Sequence, residues 1–193
     1  MCTTAPIKNK RELTMFRNYY KNIQYHPRNY ALIVLGLNSA LRISDILSLR
    51  WRDVYLDSHR GYRTHLYITE MKTGKENVIA INKALQEALE FYRKSLRHFD
   101  RNQYIFASQK TPHGKISRSQ AFRIIKKAAA YCGLGEKISC HSLRKTFGYH
   151  AWKNGTPPAM LMSIYNHSSY EITKRYLGIE QLEKDDVFMK TSL

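Results

Sequence analysis

Residues 165–176 read Tyr-Asn-His-Ser-Ser-Tyr-Glu-Ile-Thr-Lys-Arg-Tyr, so that His167 precedes Tyr176 by nine positions. Upstream, Arg42 lies in Ala-Leu-Arg-Ile-Ser-Asp, and His141 and Arg144 lie in His-Ser-Leu-Arg. Two arginines, two histidines and a tyrosine can together hold a phosphodiester, neutralise its charge and attack it with a phenol. That chemistry needs no metal ion.

Each motif on its own also has a structural explanation. A basic helix start often shows the three-residue spacing of His141 and Arg144, which places both side chains on one helix face. Arg42 lies between apolar stretches, where a guanidinium needs a partner, and Asp45 could supply it in a structural ion pair. Tyr176 is one of 14 tyrosines and could serve in helix packing. The functional interpretation therefore depends on the motifs occurring together.

The charge of the chain favours a polyanionic partner. The 193 residues include 32 Lys and Arg against 15 Asp and Glu, which gives a formal net charge of +17. Such an excess is typical of proteins that bind nucleic acid, although a solvated charged surface is the alternative. The length and a hydrophobic content of 43% indicate one globular domain.

Cysteine usage and apolar runs indicate a soluble cytoplasmic protein. Cys2, Cys132 and Cys140 have neither CxxC nor metal-ligand spacing and are expected to be free thiols. The N-terminus lacks the apolar stretch of a signal peptide. The longest apolar run, residues 30–37, is far shorter than the roughly 20 residues that a membrane span requires.

Hydrophobic periodicity predicts an α+β fold that is mainly α-helical. Branched and aromatic residues between Trp51 and Ile81, divided by turn signals, predict a small three-stranded antiparallel sheet. In the amphipathic helix 117–132, one stripe is expected to be buried, comprising Phe122, Ile125, Ala129 and Cys132. Further helical patterns cover residues 10–21, 29–37, 43–49, 83–96, 142–153, a short stretch after Pro157-Pro158, 170–176 and 181–190.

Taken in order, the motifs resemble the catalytic domain of the tyrosine recombinase (phage integrase) family. The resemblance covers about residues 12–190 and implies that family's catalytic fold. Two positions depart from the family pattern: Lys145 stands where many members have a second histidine, and Asn166 stands where glycine is common. The matching stretches are residues 40–49, Lys72-Thr73-Gly74-Lys75, residues 141–147, His167-Ser168-Ser169 and residues 173–176.

The resemblance implies a role for each matching residue. Tyr176 is expected to attack the scissile phosphate and form a 3′-phosphotyrosyl link, which stores the bond so that rejoining needs no cofactor. Arg42 and Arg144 would bind the non-bridging oxygens and stabilise the charge of the transition state. Lys72 would protonate the 5′ leaving oxygen.

The remaining roles are auxiliary ones. His141 would assist proton transfer, His167 would donate a hydrogen bond to the phosphate, and Asp45 would support the fold of the site. Further contacts to DNA are expected from basic side chains, namely Lys75, Arg118, Arg123, Lys126, Lys127 and Lys145.

The expected organisation is a basic N-terminal arm, residues 1–27, followed by a single catalytic domain, residues 28–193. Residues 1–27 are too few for the N-terminal domain with which most relatives clamp DNA, so the sequence fits either a short recombinase that resembles fimbrial invertases or a truncated longer one. Residues 180–193 form a tail whose apolar side chains among acidic ones suit docking on a neighbouring protomer. Double-stranded DNA is the expected partner, with assembly to a tetramer on it.

Three functions remain open on the sequence alone. The first is an enzyme, a site-specific recombinase that integrates, excises or inverts DNA. The second is a DNA-binding regulator that has the recombinase fold but does not cut, which the intact Tyr176, Arg42 and Arg144 argue against. The third is a relaxing topoisomerase with the same tyrosine chemistry, which the short chain and its integrase-like motifs make less favourable.

Overall fold

Helices form most of the chain, which confirms the predicted α+β, mainly helical class. The structure is a computed structural model that describes residues 4–57, 59–111 and 113–191, so Cys2 lies outside the described residues. In chain order the helices are α1 (Lys10–Asn18), a π-helical turn (Tyr19–Ile23), α2 (Pro27–Ser39), α3 (Ile43–Ser48), α4 (Trp51–Val54), α5 (Lys83–Lys94), α6 (Arg118–Tyr131), α7 (Cys140–Lys153), α8 (Pro158–Tyr165), α9 (Tyr170–Leu177) and α10 (Glu180–Lys190).

The strands form two separate antiparallel pairs, so the prediction of one three-stranded sheet was wrong. The second pair runs in regular register, whereas the first contains an irregularity and ends after Tyr62. There the backbone N–H of Arg63 donates to the carbonyl of Val54 instead of continuing the ladder (2.9 Å). The strands are β1 (Tyr55–Asp57) paired with β2 (Gly61–Tyr62), and β3 (His65–Thr69) paired with β4 (Glu76–Ala80).

Helix α2 is the centre of the core and sets the position of α7. Its residues from Asn29 to Leu37 are buried, and it packs against both α5 and α7. A β-carbon at Gly36 would lie 2.4 Å from Leu143 Cδ1 and 3.2 Å from Leu143 Cβ, so the glycine allows the two helices to pack closely here. The contact places the beginning of α7 beside the C-terminal end of α2, where Arg42 follows.

Residues 4–27 do not form a separate arm, because several of their apolar side chains belong to the main core. Ile7, Phe16, Tyr19 and Tyr20 are buried in the same cluster as α2. Pro27 does not break a helix but begins α2, where its missing N–H costs nothing. The boundary predicted at residue 27 is therefore not a boundary in the packing.

A second, smaller cluster attaches α8 and α9 to α7. It contains Tyr149, Tyr165, Leu177 and Ile179, with Leu182 of α10 packed against it. Further along α10, the side chains of Val187, Phe188 and Met189 are exposed. In the part of the chain that the structure describes, no helix is both long and apolar enough to cross a membrane.

Candidate active site

Arg144 is fixed by the protein before any ligand binds. Its side chain is 3% exposed at the beginning of α7, and its guanidinium donates to the carbonyls of Ala40 and Tyr165, the latter at 3.3 Å. The guanidinium also lies 4.7 Å from the centroid of the Tyr165 ring. The Tyr165 hydroxyl donates back to the carbonyl of Arg144 at 2.7 Å. These contacts fix the arginine in one orientation, as electrostatic preorganisation requires.

Arg42 is held by Glu70 and not by Asp45. It stands at the N-cap position of α3 and forms an ion pair with the Glu70 carboxylate, which is 2% exposed and also accepts a hydrogen bond from Thr73 Oγ1 (2.9 Å). Burial raises the pKa of Glu70, but the hydrogen bonds from Arg42 and Thr73 outweigh it and leave the pKa below its ordinary value. The carboxylate is therefore ionised at neutral pH and anchors the arginine.

Asp45 has a different partner from the one that its spacing suggested. It is 0% exposed, and its Oδ1 accepts the backbone N–H of Met71 at 3.1 Å. The hydrogen bond ties α3, which Arg42 precedes, to the turn between β3 and β4. This contact fits the supporting role expected from the sequence, which stays a prediction.

The two histidines flank the arginines. His141, at the beginning of α7, borders a cleft of about 610 Å³ together with Ile43 and Arg118. Burial, followed by the positive charges of Lys145, Arg144, Arg118 and Arg42, lowers the pKa of His141. Burial, followed by Arg144 and Arg42, likewise lowers the pKa of His167. Both imidazoles are therefore neutral at pH 7 and able to accept a proton.

Tyr176 lies on α9 directly beside His167. The two ring centroids are 5.3 Å apart, and the Tyr165 ring is 5.4 Å from that of Tyr176. A contact of 3.0 Å between His167 Nδ1 and Thr173 Oγ1 fixes the imidazole against the same helix. The structure thus brings the predicted nucleophile next to the histidine whose neighbours include both arginines.

The two lysines of the β3–β4 turn are exposed. Lys75 Nζ donates to Asn166 Oδ1 at 2.6 Å, which links the hairpin to the residue before His167. Asn166 has a φ of 55°, in the left-handed region that asparagine tolerates and glycine prefers. Among the described residues Lys72 has neither a hydrogen bond nor an ion pair to the other predicted site residues.

Helix α6 buries Ile125 and Ala129 as predicted, but not the whole predicted stripe. Phe122 is 44% exposed and lines the cleft with His141, so its expected burial was wrong. Arg118 borders the same cleft, whereas Arg123 faces a neighbouring pocket and donates to Gln120 Oε1 (2.7 Å). Of the other two predicted DNA contacts on this helix, the ammonium of Lys126 donates to the carbonyl of Glu136 (2.7 Å) and Lys127 is exposed.

Lys145, which was predicted to contact DNA, is buried inside the protein. Its side chain is 2% exposed, its ammonium donates to the carbonyl of Thr4 at 2.7 Å, and it lies 5.0 Å from the centroid of the Tyr176 ring. The DNA contact predicted for Lys145 stays a prediction, and the contacts that the structure shows are with Thr4 and the Tyr176 ring. The lysine faces the inside of the site.

Sequence reasoning missed Glu70 and Tyr165, which hold the two arginines. No local pattern connects Glu70 to Arg42, 28 positions earlier. One available signal was an acidic residue directly before the Met71-Lys72 turn in a strongly basic chain. For Tyr165, the only hint was an aromatic residue two positions before His167.

The chain belongs to the phage integrase family, whose profile matches residues 10–182. This confirms the resemblance that the motifs indicated. It also covers each of the residues predicted to take part in catalysis.

Similar proteins carry names from the same class. The chain is 43% identical over 181 residues to the probable integrase/recombinase YoeC of Bacillus subtilis (strain 168), covering 94% of this chain and 93% of that protein. It is 30% identical over 152 residues to the type 1 fimbriae regulatory protein FimE of Escherichia coli (strain K12), and the match covers 77% of this chain and 73% of FimE. The chain is also 30% identical over 165 residues to a tyrosine recombinase of Pseudothermotoga lettingae. That match covers only 54% of the length of the Pseudothermotoga protein.

Solved structures show the same fold at low sequence identity. XerA recombinase matches with a TM-score of 0.74 and 18% identity, covering 98% of this chain and 66% of that one. XerH, in its post-cleavage complex with a palindromic difH substrate, matches with a TM-score of 0.72 and 17% identity, covering 98% and 54%. These likenesses confirm the recombinase catalytic fold.

Proposed function

We propose that this member of the phage integrase family is a site-specific recombinase that cuts and rejoins DNA strands through a 3′-phosphotyrosyl intermediate on Tyr176. The observation that supports this most strongly is that the protein anchors both Arg42 and Arg144 near His167, whose ring lies beside that of Tyr176. Two fixed guanidinium groups suit the two non-bridging oxygens of a phosphodiester.

In the proposed reaction the scissile phosphoryl group is transferred from the 5′ oxygen of DNA to Tyr176 and later back to a 5′ oxygen. The Tyr176 oxygen attacks phosphorus, a P–O bond to the phenol forms, and the bond to the 5′ oxygen breaks. The phenol proton passes to a neutral base, for which His141 with its lowered pKa is suited. Lys72 supplies the proton that the leaving 5′ oxygen requires, and Arg42 and Arg144 stabilise the added charge on the phosphate. Attack by a 5′ hydroxyl of the partner strand reverses these steps.

For Lys72 to reach the leaving 5′ oxygen, either the hairpin turn must move or the DNA must approach the turn. Lys72 is exposed and stands two residues after Glu70, the anchor of Arg42. A bound phosphate on the arginines would therefore lie near the start of this turn. A DNA substrate also fits the cytoplasmic location expected from the sequence.

A suicide substrate nicked near the cleavage site tests the proposal. The wild-type protein is expected to form a covalent protein–DNA band, and Tyr176→Phe is expected to form none while binding DNA as well as the wild type. Tyr170→Phe, on the same helix, is the matched control and should keep the band. Binding should be compared at one stated salt concentration, because phosphate-dominated affinity falls steeply with salt.

Other outcomes of this assay point to other functions. Specific binding without a covalent band from the wild-type protein would favour the non-cleaving regulator. A covalent band accompanied by relaxation of supercoiled DNA without exchange between two sites would favour the topoisomerase. A band that persists in Tyr176→Phe would move the nucleophile to another residue.

Assembly on DNA is proposed from the last helix. Leu182 packs against the second cluster and secures the start of α10, whereas Val187, Phe188 and Met189 remain exposed near its end. Such an apolar patch on an otherwise basic protein suits docking on a neighbouring protomer. A tetramer on two duplexes would bring four such contacts together.

Substitution of the exposed side chains tests the assembly. Phe188→Asp with Met189→Asp is expected to lower recombination between two sites at least tenfold while leaving DNA binding and single-site cleavage nearly unchanged. Ile23→Asp, an exposed apolar residue in the π-helical turn, is the control. Equal recombination by the double variant and the wild type would refute a docking role for α10.

A further inference from the structure

Lys145 is a buried charge placed against the predicted nucleophile. It follows Arg144 on α7, its side chain is 2% exposed, and its ammonium lies 5.0 Å from the centroid of the Tyr176 ring. Removing an ammonium from water is costly unless nearby groups compensate for the lost hydration. The carbonyl of Thr4, at 2.7 Å, is one such group, and the aromatic ring is another.

The Thr4 carbonyl is itself fixed by the extended segment 4–8, which lies along α7. Ile7 is buried, and both its backbone N–H and its backbone carbonyl form hydrogen bonds with side chains of this helix. The end of the segment reaches α9, which carries Tyr176. Its hydrogen bonds run from Ala5 N to the Lys137 carbonyl (3.0 Å), from Ile7 N to Thr146 Oγ1 (2.9 Å), between His150 Nε2 and the Ile7 carbonyl (3.0 Å), and from Lys8 Nζ to the Gly178 carbonyl (3.3 Å).

We propose that Lys145, oriented by segment 4–8, is a positioning residue for Tyr176 that stabilises the phenolate form of the nucleophile. A cation near an aromatic ring is attracted to it, and the attraction grows when the ring carries the negative charge of a phenolate. Partial burial strengthens the interaction, because the effective dielectric constant there is lower than in water. The inference concerns the reaction proposed above, but its effect on the phenol does not depend on DNA.

The two other rings that contact Tyr176, those of His167 and Tyr165, carry no positive charge at pH 7. His167 is neutral at pH 7 because its pKa is lowered, and burial raises the pKa of Tyr165, which stays protonated. Lys174 is paired with Glu171 at 2.8 Å. The charged and titratable groups of the surrounding elements are Arg42 before α3, His141, Arg144 and Lys145 on α7, Tyr165 on α8, His167 before α9, Tyr170, Lys174 and Arg175 on α9, and Lys8 in the N-terminal segment.

A direct titration of the phenol separates this role from a structural one. 3-Fluorotyrosine placed at position 176 of the full chain reports its own ionisation by ¹⁹F NMR, without DNA and without catalysis. Lys145→Met keeps the length of the side chain and removes the charge. It is expected to raise the pKa of the fluorophenol by about one unit, which is a tenfold lower phenolate fraction at a given pH.

Two matched variants complete the titration. Lys153→Met, on the exposed side of the same helix, should leave the phenol pKa unchanged. Lys145→Arg keeps the charge and should keep the pKa closer to that of the wild type than Lys145→Met does. A folded Lys145→Met protein with the wild-type phenol pKa would overturn the proposal.

Lys145→Met should lower the cleavage rate to an extent that depends on pH, rather than equally at all pH values. Single-turnover cleavage by Lys145→Met should be about tenfold slower near neutral pH and should recover as the pH rises, with DNA binding unchanged. A uniform loss at all pH values would refute the electrostatic role. If the wild type does not cleave although its phenol responds to Lys145→Met, the proposed function fails while this inference stands.

If Lys145→Met does not fold, Ala5→Pro carries the test. Proline lacks the N–H that Ala5 donates to Lys137 and should release Thr4 from α7 without altering the active-site side chains. The phenol pKa is then expected to shift in the same direction by a smaller amount. An unchanged pKa in this variant, with the protein folded, would show that segment 4–8 does not orient the lysine.

Discussion

The arginine side and the hairpin side of the site are built in opposite ways. Arg144 and Arg42 are held by carbonyls and by a buried carboxylate, so their charges are in place before DNA arrives. Lys72 lies in an exposed turn, and the Lys75 ammonium donates to Asn166 at the rim of the site. Stabilising a developing charge requires fixed groups. Delivering a proton to a leaving oxygen instead requires a group that reaches the substrate once it is bound.

The largest effect is expected when the geometry of the anchored arginine is changed without removing its charge. Arg144→Lys cannot donate to Ala40 and Tyr165 while also presenting two N–H groups to a phosphate. Cleavage of a suicide substrate should fall by about 10²–10³ with DNA affinity within a few-fold. Arg123→Lys, at an exposed position of α6, is the control. Near wild-type cleavage by Arg144→Lys would mean that a positive charge alone suffices on this side.

On the hairpin side, the loss caused by a substitution should depend on the leaving group of the substrate, because Lys72 is expected to act by donating a proton. Lys72→Ala is expected to slow cleavage by about 10² on normal DNA. A substrate with a 5′-phosphorothiolate should restore the rate, because a thiolate leaves without needing a proton. Lys75→Ala should show a smaller loss and no selective rescue. If the rescue appears for Lys75→Ala and not for Lys72→Ala, the proton donor is Lys75.

Glu70 connects the two sides, because it pairs with Arg42 and accepts from Thr73 in the turn. Glu70→Gln should reduce the free energy of unfolding by about 1–3 kcal/mol at pH 7 and lower cleavage about tenfold. The folded pKa of Glu70 lies below its ordinary value of 4.5. Its stabilisation is therefore full above pH 4.5 and is lost as the pH falls through the folded pKa.

Denaturant unfolding at several pH values checks this sign. The difference in free energy of unfolding between wild type and Glu70→Gln should be constant near neutral pH and should shrink in the acid range. Glu76→Gln, an exposed residue of β4, is the control and should show no such trend. A difference that grows on acidification would contradict the assigned ion pair.

The smallest effect is expected at the contact between the hairpin and the rim. Asn166→Gly keeps the left-handed backbone and removes the oxygen that accepts from Lys75. Cleavage should change no more than a few-fold, since a single exposed hydrogen bond contributes little. A loss as large as that of Arg144→Lys would mean that the hairpin is also held in place before DNA binds, and the contrast between the two sides would disappear.

Sequence patterns predicted most helix positions, and the catalytic roles that they suggested for Arg42 and Arg144 stay predictions. They did not indicate the partners that hold these two arginines in place. On α6 the predicted burial of Ile125 and Ala129 is confirmed, but the buried face is rotated toward Ala121, Ile124 and Ala128, which leaves Phe122 exposed. Lys145 looked like a surface charge because lysines are rarely buried. Its burial depends on Thr4, 141 positions away, and no local pattern reports so distant a contact.

Segment 4–8 also has a consequence for the order in which the molecule is assembled. The contacts of Ile7 with Thr146 and of Lys8 with Gly178 join residues separated by 139 and 170 positions. Contacts with such separation slow folding, because long loops must close before they form. On the ribosome the segment emerges long before its binding surface on α7 and α9 is synthesised. A nascent chain therefore cannot complete the contacts of this segment until synthesis has passed Gly178.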